Sequence, residues 1–259
     1  MSTIEFSLNP ALEIYRPDFT GRVAVVTGGT SGIGREIVLT LASLGATVHF
    51  CGRNQADGAA VAGALPAGQA HYACVDVSQT EEIKQWIEKI PAIDFLINNV
   101  ANDRRVPMDT MNAEDFDFSL AINLRSHFLV TLAALPAIRC GSGKCIVNVG
   151  TCNYMNPEPD CLLYNLGKSG IVGLTRSLAR QLGPEYIRVN TFTPGWIATE
   201  KQLKNHLTPE AQEKLIQWQC LPQVFFPADI VGPLLFLCSR SAAAVTGQNL
   251  LAEGGRVML

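Results

Sequence analysis

Apolar and polar positions along the chain follow two alternating patterns. Short runs of near-continuous apolar character occur at Val23–Thr27, Thr47–Cys51, Ala70–Val75, Phe95–Asn98, Lys144–Val149, Arg188–Phe192 and Asn249–Leu251, as strands covered on both faces require. Between them lie stretches with helical spacing, at Ile33–Leu44, Ala56–Ala64, Thr80–Ile90, Phe116–Ile138, Leu162–Leu182 and Ala228–Ser239. This alternation predicts an α/β fold, a doubly wound sheet of seven mainly parallel strands in a single domain over 21–259. Two segments break the rhythm. Residues 1–20 carry Pro10 and Pro17 and read as an irregular N-terminal arm, and 196–226 is a long insertion that reads as a substrate lid.

The 259-residue length suits one such domain, and a net charge of −3 leaves no electrostatic footprint for nucleic acid. No run reaches about 18 uninterrupted apolar residues, and no basic cluster and apolar run open the chain, so no membrane partner is expected and the protein reads as cytoplasmic. Eight cysteines without a C-x-x-C pair read as buried free thiols. The four histidines (His49, His71, His127, His206) stand far apart and outside any H-x-E or H-E-x-x-H pattern, so no metal site is expected.

Candidate chemistry begins where the first strand runs into Thr27-Gly28-Gly29-Thr30-Ser31-Gly32-Ile33-Gly34 and a helix follows at once. Glycines allow a tight turn and close backbone approach, while the helix start offers unpaired N–H groups and positive partial charge to a pyrophosphate. A second pattern is Tyr164 and Lys168, four apart and so on one face of a predicted helix. An ammonium beside a phenol favours the phenolate and lowers its pKa, which equips Tyr164 to take up a proton.

The glycine spacing resembles the T-G-x-x-x-G-x-G motif of the short-chain dehydrogenase/reductase family, and further family motifs follow in order along nearly the whole chain. The sheet is then of the Rossmann type, and the function implied is hydride transfer between a nicotinamide cofactor and an alcohol or carbonyl carbon. The resemblance places Gly28, Thr30, Ser31, Gly32, Ile33 and Gly34 on the cofactor phosphates, and Asp76 and Val77 near its adenine. Asn99, in Asn98-Asn99-Val100-Ala101, matches the family's N-N-A-G, with Val-Ala in place of Ala-Gly. Tyr164 and Lys168 become both catalytic and cofactor-binding. Thr151, thirteen residues before the tyrosine, takes the place of a substrate-orienting serine, and Asn123 matches an asparagine that holds a water leading to the lysine. Pro194, Gly195, Ile197 and Thr199 fall beside the nicotinamide.

The end of the second strand, His49-Phe50-Cys51-Gly52-Arg53-Asn54, lacks the acid that would hold a ribose 2′-hydroxyl, and Arg53 is placed to clamp a 2′-phosphate. NADP is therefore the preferred cofactor, with NAD possible. Asn102-Asp103-Arg104-Arg105, Asn123-Leu124-Arg125-Ser126-His127 and Gln219-Cys220-Leu221 resemble the branch that oxidises aldose sugars at C1 to lactones. The candidate substrate residues are Asn102, Arg104, Asn153, Glu158, Asp160 and Trp196, for a small polar ligand. A carbonyl or 3-oxoacyl reductase is the alternative activity, and a nucleotide-binding protein without chemistry is the alternative class. Apolar residues around most of the two helices at 116–138 and 162–182 predict a homodimer or homotetramer.

Overall fold

The computed structural model describes every residue except 1–3, 5 and 259. Seven strands, β1 (Val23–Thr27), β2 (Thr47–Gly52), β3 (Ala70–Cys74), β4 (Phe95–Asn98), β5 (Cys145–Val149), β6 (Arg188–Pro194) and β7 (Asn249–Ala252), form one sheet in the order β3-β2-β1-β4-β5-β6-β7. Every pairing is parallel, so the expectation of a mainly parallel sheet is met in full. β4 and β5 are buried along their whole length, which is why their sequences show no alternation.

Helices cover both faces. α1 (Gly32–Ser43) and α9 (Pro227–Cys238) enclose one core layer around Ile37, Phe50 and Leu234. Between them in sequence come α2 (Gln55–Gly63), α3 (Thr80–Ile87), α4 (Ala113–Leu120), α5 (Ser126–Cys140), α6 (Leu162–Leu182), α7 (Glu200–Asn205) and α8 (Pro209–Trp218). α3, α5 and α6 enclose the second layer around Trp86, Leu96 and Ile138. α4 and α5 join through a π-turn, Ala121–Arg125, to make one rod from Ala113 to Cys140. That rod is long and apolar enough to cross a membrane by length and composition alone. Its buried side packs instead on α6 and β4.

Two sequence expectations need correction here. The N-terminal arm is irregular at residue 4 and over residues 6–9, but not beyond: Pro10–Tyr15 and Arg16–Phe19 are helical turns in which Pro10 and Pro17 occupy first-turn positions, where a missing N–H costs nothing. The arm is also tied to the core, since Leu12 and Phe19 are buried and the Phe19 ring meets Phe95 edge-on at 5.2 Å. Residues 1–3 and 5 of the arm lie outside the described ones. Among the cysteines, Cys51, Cys145, Cys152, Cys161 and Cys238 are buried free thiols, but Cys74, Cys140 and Cys220 are exposed.

Candidate active site

The C-terminal ends of β1 to β6 open into one cleft of about 410 Å³, at the point where the strand order reverses between β1 and β4. Its first wall is the turn from β1 into α1. Gly28 takes the left-handed backbone at φ +68°, and a Cβ on Gly34 would lie 2.0 Å from the Gly28 carbonyl oxygen. Asn99 fastens this turn to the end of β4 by donating to the carbonyls of Thr27 at 3.0 Å and Gly28 at 3.2 Å, while Thr27 Oγ1 accepts from the N–H groups of Asn99 and Val100. Ser31 is the N-cap of α1 but makes no capping bond with its side chain, so the positive end of this twelve-residue helix keeps its first N–H groups for another acceptor. Thr30, Ser31, Ile33 and Gly34 line the cleft here; Gly32 lies behind it, against Thr199. These glycines and uncapped N–H groups fit a dinucleotide pyrophosphate.

Arg53, Asp76 and Val77 line the far end. Arg53 is exposed and makes no ion pair among the described residues, whereas Asp76 already accepts from the N–H of Ser78 at 2.9 Å. At the other end stand Pro194, Gly195, Trp196, Ile197 and Thr199, the last two carrying the chain into α7. Thr199 Oγ1 caps that helix by accepting from Gln202 N at 3.3 Å.

α6 brings Tyr164 and Lys168 into the middle of the cleft, and β5 ends there with Thr151. Lys168 is 1% exposed and donates to the Val149 carbonyl at 2.7 Å, which fixes its ammonium against the end of β5. Burial pushes the Tyr164 hydroxyl well above the usual phenol value, with a hydrogen bond to Thr151 opposing, and pulls the Lys168 ammonium down to about 7. The expected lowering of the Tyr164 pKa by Lys168 is thus not met in the protein by itself, because desolvation is the larger effect. Burial also raises the Cys152 and Cys161 thiols beside the tyrosine, so neither is primed as a nucleophile.

The family described as Enoyl-(Acyl carrier protein) reductase matches residues 28–256. A "Probable galactose dehydrogenase" of Rhizobium meliloti is 37% identical over 246 residues, covering 92% of this chain and 96% of that protein. D-xylose 1-dehydrogenase of Caulobacter vibrioides is 33% identical over 242 residues, covering 92% and 97%. The chain belongs to the short-chain dehydrogenase/reductase family. It is an NAD(P)-dependent oxidoreductase. A short-chain dehydrogenase of Burkholderia cenocepacia solved in complex with NADP shares the fold at a TM-score of 0.85 and 26% identity, over 92% of this chain and 99% of that one.

Within this short-chain dehydrogenase, the remaining candidates divide. Asn102, Asn153, Glu158 and Trp196 line the cleft with Tyr164. Arg104 does not: it pairs with Asp115 at 3.1 Å and lies over the Phe118 ring, which holds it on the α4 side of the loop. Asp160 is exposed, adopts φ +64° and lies outside the cleft. Asn123 sits fully buried in the π-turn, away from the cleft surface. Its amide accepts from Asn102 N at 2.8 Å and donates to Asn102 O at 2.9 Å and Ser119 Oγ at 3.1 Å. The structure therefore gives it the work of clamping the loop after β4, and the π-turn is the irregularity that turns it that way. Gly167 lets α6 come close at this point, since a Cβ there would lie 2.8 Å from Asn123 Cβ.

Two of the segments that resembled sugar dehydrogenases serve the scaffold. Arg125 ties the π-turn to Ser78 O and Thr80 Oγ1, and His127, which burial pulls down to about 3, meets Val100 O at 3.2 Å. Gln219 holds the carbonyls of Leu221 and Gln223. Cleft residues that were not among the sequence candidates include Asp103 and Arg105, quoted only within a segment, and Gln202 and Arg256. Burial alone raises the Asp103 carboxyl, but hydrogen bonds from Lys201 and Gln202 outweigh it and hold the group below its usual value. Arg105 had a signal, as the neighbour of Arg104; Arg256 had none.

Proposed function

We propose that this enzyme oxidises an aldose at C1 to its lactone and prefers NADP⁺ as the acceptor. The observation that carries the reading is the wall beside Tyr164, where Asn102, Asp103, Arg105, Asn153 and Glu158 present hydrogen-bonding groups in place of an apolar trough. Such a wall complements hydroxyl groups, and leaving it unpaired against an acyl chain or steroid costs roughly 1–3 kcal/mol per orphaned group. The sugar-directed names of the two curated relatives support the same reading.

In this scheme Thr151 Oγ1 orients the C1 hydroxyl and Tyr164, as phenolate, accepts its proton. Lys168 holds positive charge behind the tyrosine, and Asn123 keeps Asn102 at the cleft edge. The cofactor, when bound, supplies the hydride acceptor and a positive nicotinamide ring that favours the phenolate. Residues 196–226 act as a lid over the substrate end: Arg35 and Glu200 pair at 2.7 Å on one side, and Lys201 and Gln202 hold Asp103 on the other. Incubation with NADP⁺ or NAD⁺ and a panel of pentoses, hexoses and deoxyhexoses, followed at the reduced-nicotinamide absorbance, tests the assignment. Turnover of ketones or 3-oxoacyl thioesters with no aldose turnover overturns it.

The cofactor preference rests on the unpaired Arg53 and on Gly52. A Cβ at Gly52 would lie 2.6 Å from Thr30 Cγ2, so the acid that selects NAD has no room at that position. A charge-assisted hydrogen bond contributes roughly 1.5–3 kcal/mol, about a ten- to hundredfold preference for NADP⁺ in kcat/KM. Arg53→Ala is expected to raise KM for NADP⁺ by about that factor and to change KM for NAD⁺ little. A variant that discriminates as its parent does would remove Arg53 from the account.

Assembly as a homodimer or homotetramer is the second part of the proposal. Phe128, Leu132, Leu162 and Leu166 are exposed on α5 and α6, Leu132 by 56%, and large apolar side chains repeated on two adjacent long helices suit a two-fold interface. Light scattering at micromolar concentration is expected to give a mass of two or four chains. Leu132→Glu is expected to shift that mass toward 28.0 kDa.

A further inference from the structure

Beyond β7 the chain turns back into the cleft, and this turn is firmly made. Gly254 and Gly255 adopt φ +75° and +79°, and the Glu253 carboxylate accepts from the N–H groups of Gly255, Arg256 and Val257. The result is to drive Arg256 inward. Its side chain is only 4% exposed, its guanidinium lies over the Trp218 ring at 5.0 Å, and Nη2 donates to Glu158 Oε1 at 3.4 Å and Asn156 O at 3.3 Å. Its Nε–H has no partner among the described residues although it is buried, which is costly unless something else accepts from it. Arg256 lines the same cleft as Tyr164.

Glu158 stands beside it. Its N–H donates to Asn153 Oδ1 at 3.2 Å, and its carboxylate meets Arg256 at 3.4 Å and Arg105 at 3.9 Å. Both ion pairs are long, so lone pairs remain for another donor. Glu158 is shared by Arg105 and Arg256, and Asp103 is held by Lys201 and Gln202, so each carboxylate on this wall already faces a cation. What the wall offers is a donor next to an acceptor. Adjacent hydroxyls of a polyol match that pair, because each can accept from a guanidinium and donate to a carboxylate.

We propose that Arg256, paired with Glu158, is a specificity-determining residue that grips two neighbouring hydroxyls of the substrate and sets which carbon of the sugar meets Tyr164. The assignment rests on the aldose reading above and adds the residue that reads the sugar's far side.

The experiment compares wild type, Arg256→Met, Arg256→Lys and the double variant Arg256→Met with Glu158→Gln, using purified full-length enzyme, NADP⁺, the best aldose and its monodeoxy analogues. Arg256→Met is expected to raise KM for the aldose by about ten- to hundredfold, with kcat and KM for NADP⁺ changed by no more than a few-fold. Wild type is expected to discriminate against one or two deoxy analogues, and Arg256→Met to treat them as it treats the parent sugar. Arg256→Lys retains charge without the fork and is expected to fall between. A double variant that regains the wild-type KM would show that a stranded Glu158 caused the defect, and it overturns the assignment. So does an Arg256→Met enzyme that still discriminates among the deoxy sugars. A wild type active on aldoses in either of those cases leaves the aldose reading standing; a wild type inert toward every aldose overturns both.

Discussion

Tyr164→Phe is expected to lower kcat/KM by about 10²- to 10⁴-fold while cofactor affinity and the circular dichroism spectrum stay at parental values. Loss of the hydroxyl removes a proton acceptor and leaves the ring that packs on α6 in place. Burial holds its pKa above that of an exposed phenol, so the base form becomes more populated as pH rises. The oxidative rate of wild type is therefore expected to climb toward alkaline pH. In the variant that climb should vanish along with the rate. A Tyr164→Phe enzyme with near-parental turnover, or one that keeps the alkaline rise, would locate the base elsewhere.

How far the sequence reveals this protein depends on how local the cause is. β1, β4 and α6 have the limits that hydrophobic pattern predicts, because each is bounded by a turn whose chemistry lies in the adjacent residues. α4 starts at Ala113 instead of Phe116, since its capping box of Asn112 and Asp115 is built from polar residues that precede the apolar pattern. The π-turn at Ala121–Arg125 has no signature in the pattern, being stabilised by the contacts of Asn123 and Ser126 with distant or preceding turns. Prolines at 10 and 17 mark helix starts only once it is known that Leu12 and Phe19 reach the core.

The same division runs through the site. The glycine turn, Tyr164 and Lys168 stand in short patterns with mechanical reasons for their spacing, and the structure brings them to one cleft. Telling Arg105 from Arg104 requires knowing which of the two the loop after β4 turns into the cleft, and Asp115 in α4 holds Arg104 on the outside. Arg256 comes from the far end of the chain through a turn stabilised by Glu253, so nothing near it in sequence marks it as part of the cleft. Long-range placement, not residue chemistry, is what the pattern lacks.

Lys168→Met is expected to be nearly as damaging as the tyrosine substitution, by about 10²-fold or more, and to leave a distinct pH signature. Removing the ammonium takes away a positive charge that favours the phenolate at and below about pH 7, where the lysine is protonated, so the residual oxidative activity should fall most there and its profile shift toward alkaline pH. Stability supplies an independent reading. The folded-state pKa of Lys168 is about 7 against an ordinary 10.5, so between those values the unfolded chain binds more protons than the native one. Wild-type stability should therefore gain with rising pH through that window, as the cost of the buried ammonium is relieved, and should lose the gain as pH falls toward 7. The Lys168→Met protein lacks the group, so denaturant titrations from pH 7 to 10 should show wild type improving relative to the variant. Parallel stability curves across that range would mean that Lys168 keeps an ordinary pKa, and its charge would then be solvated and not held against Tyr164 by burial.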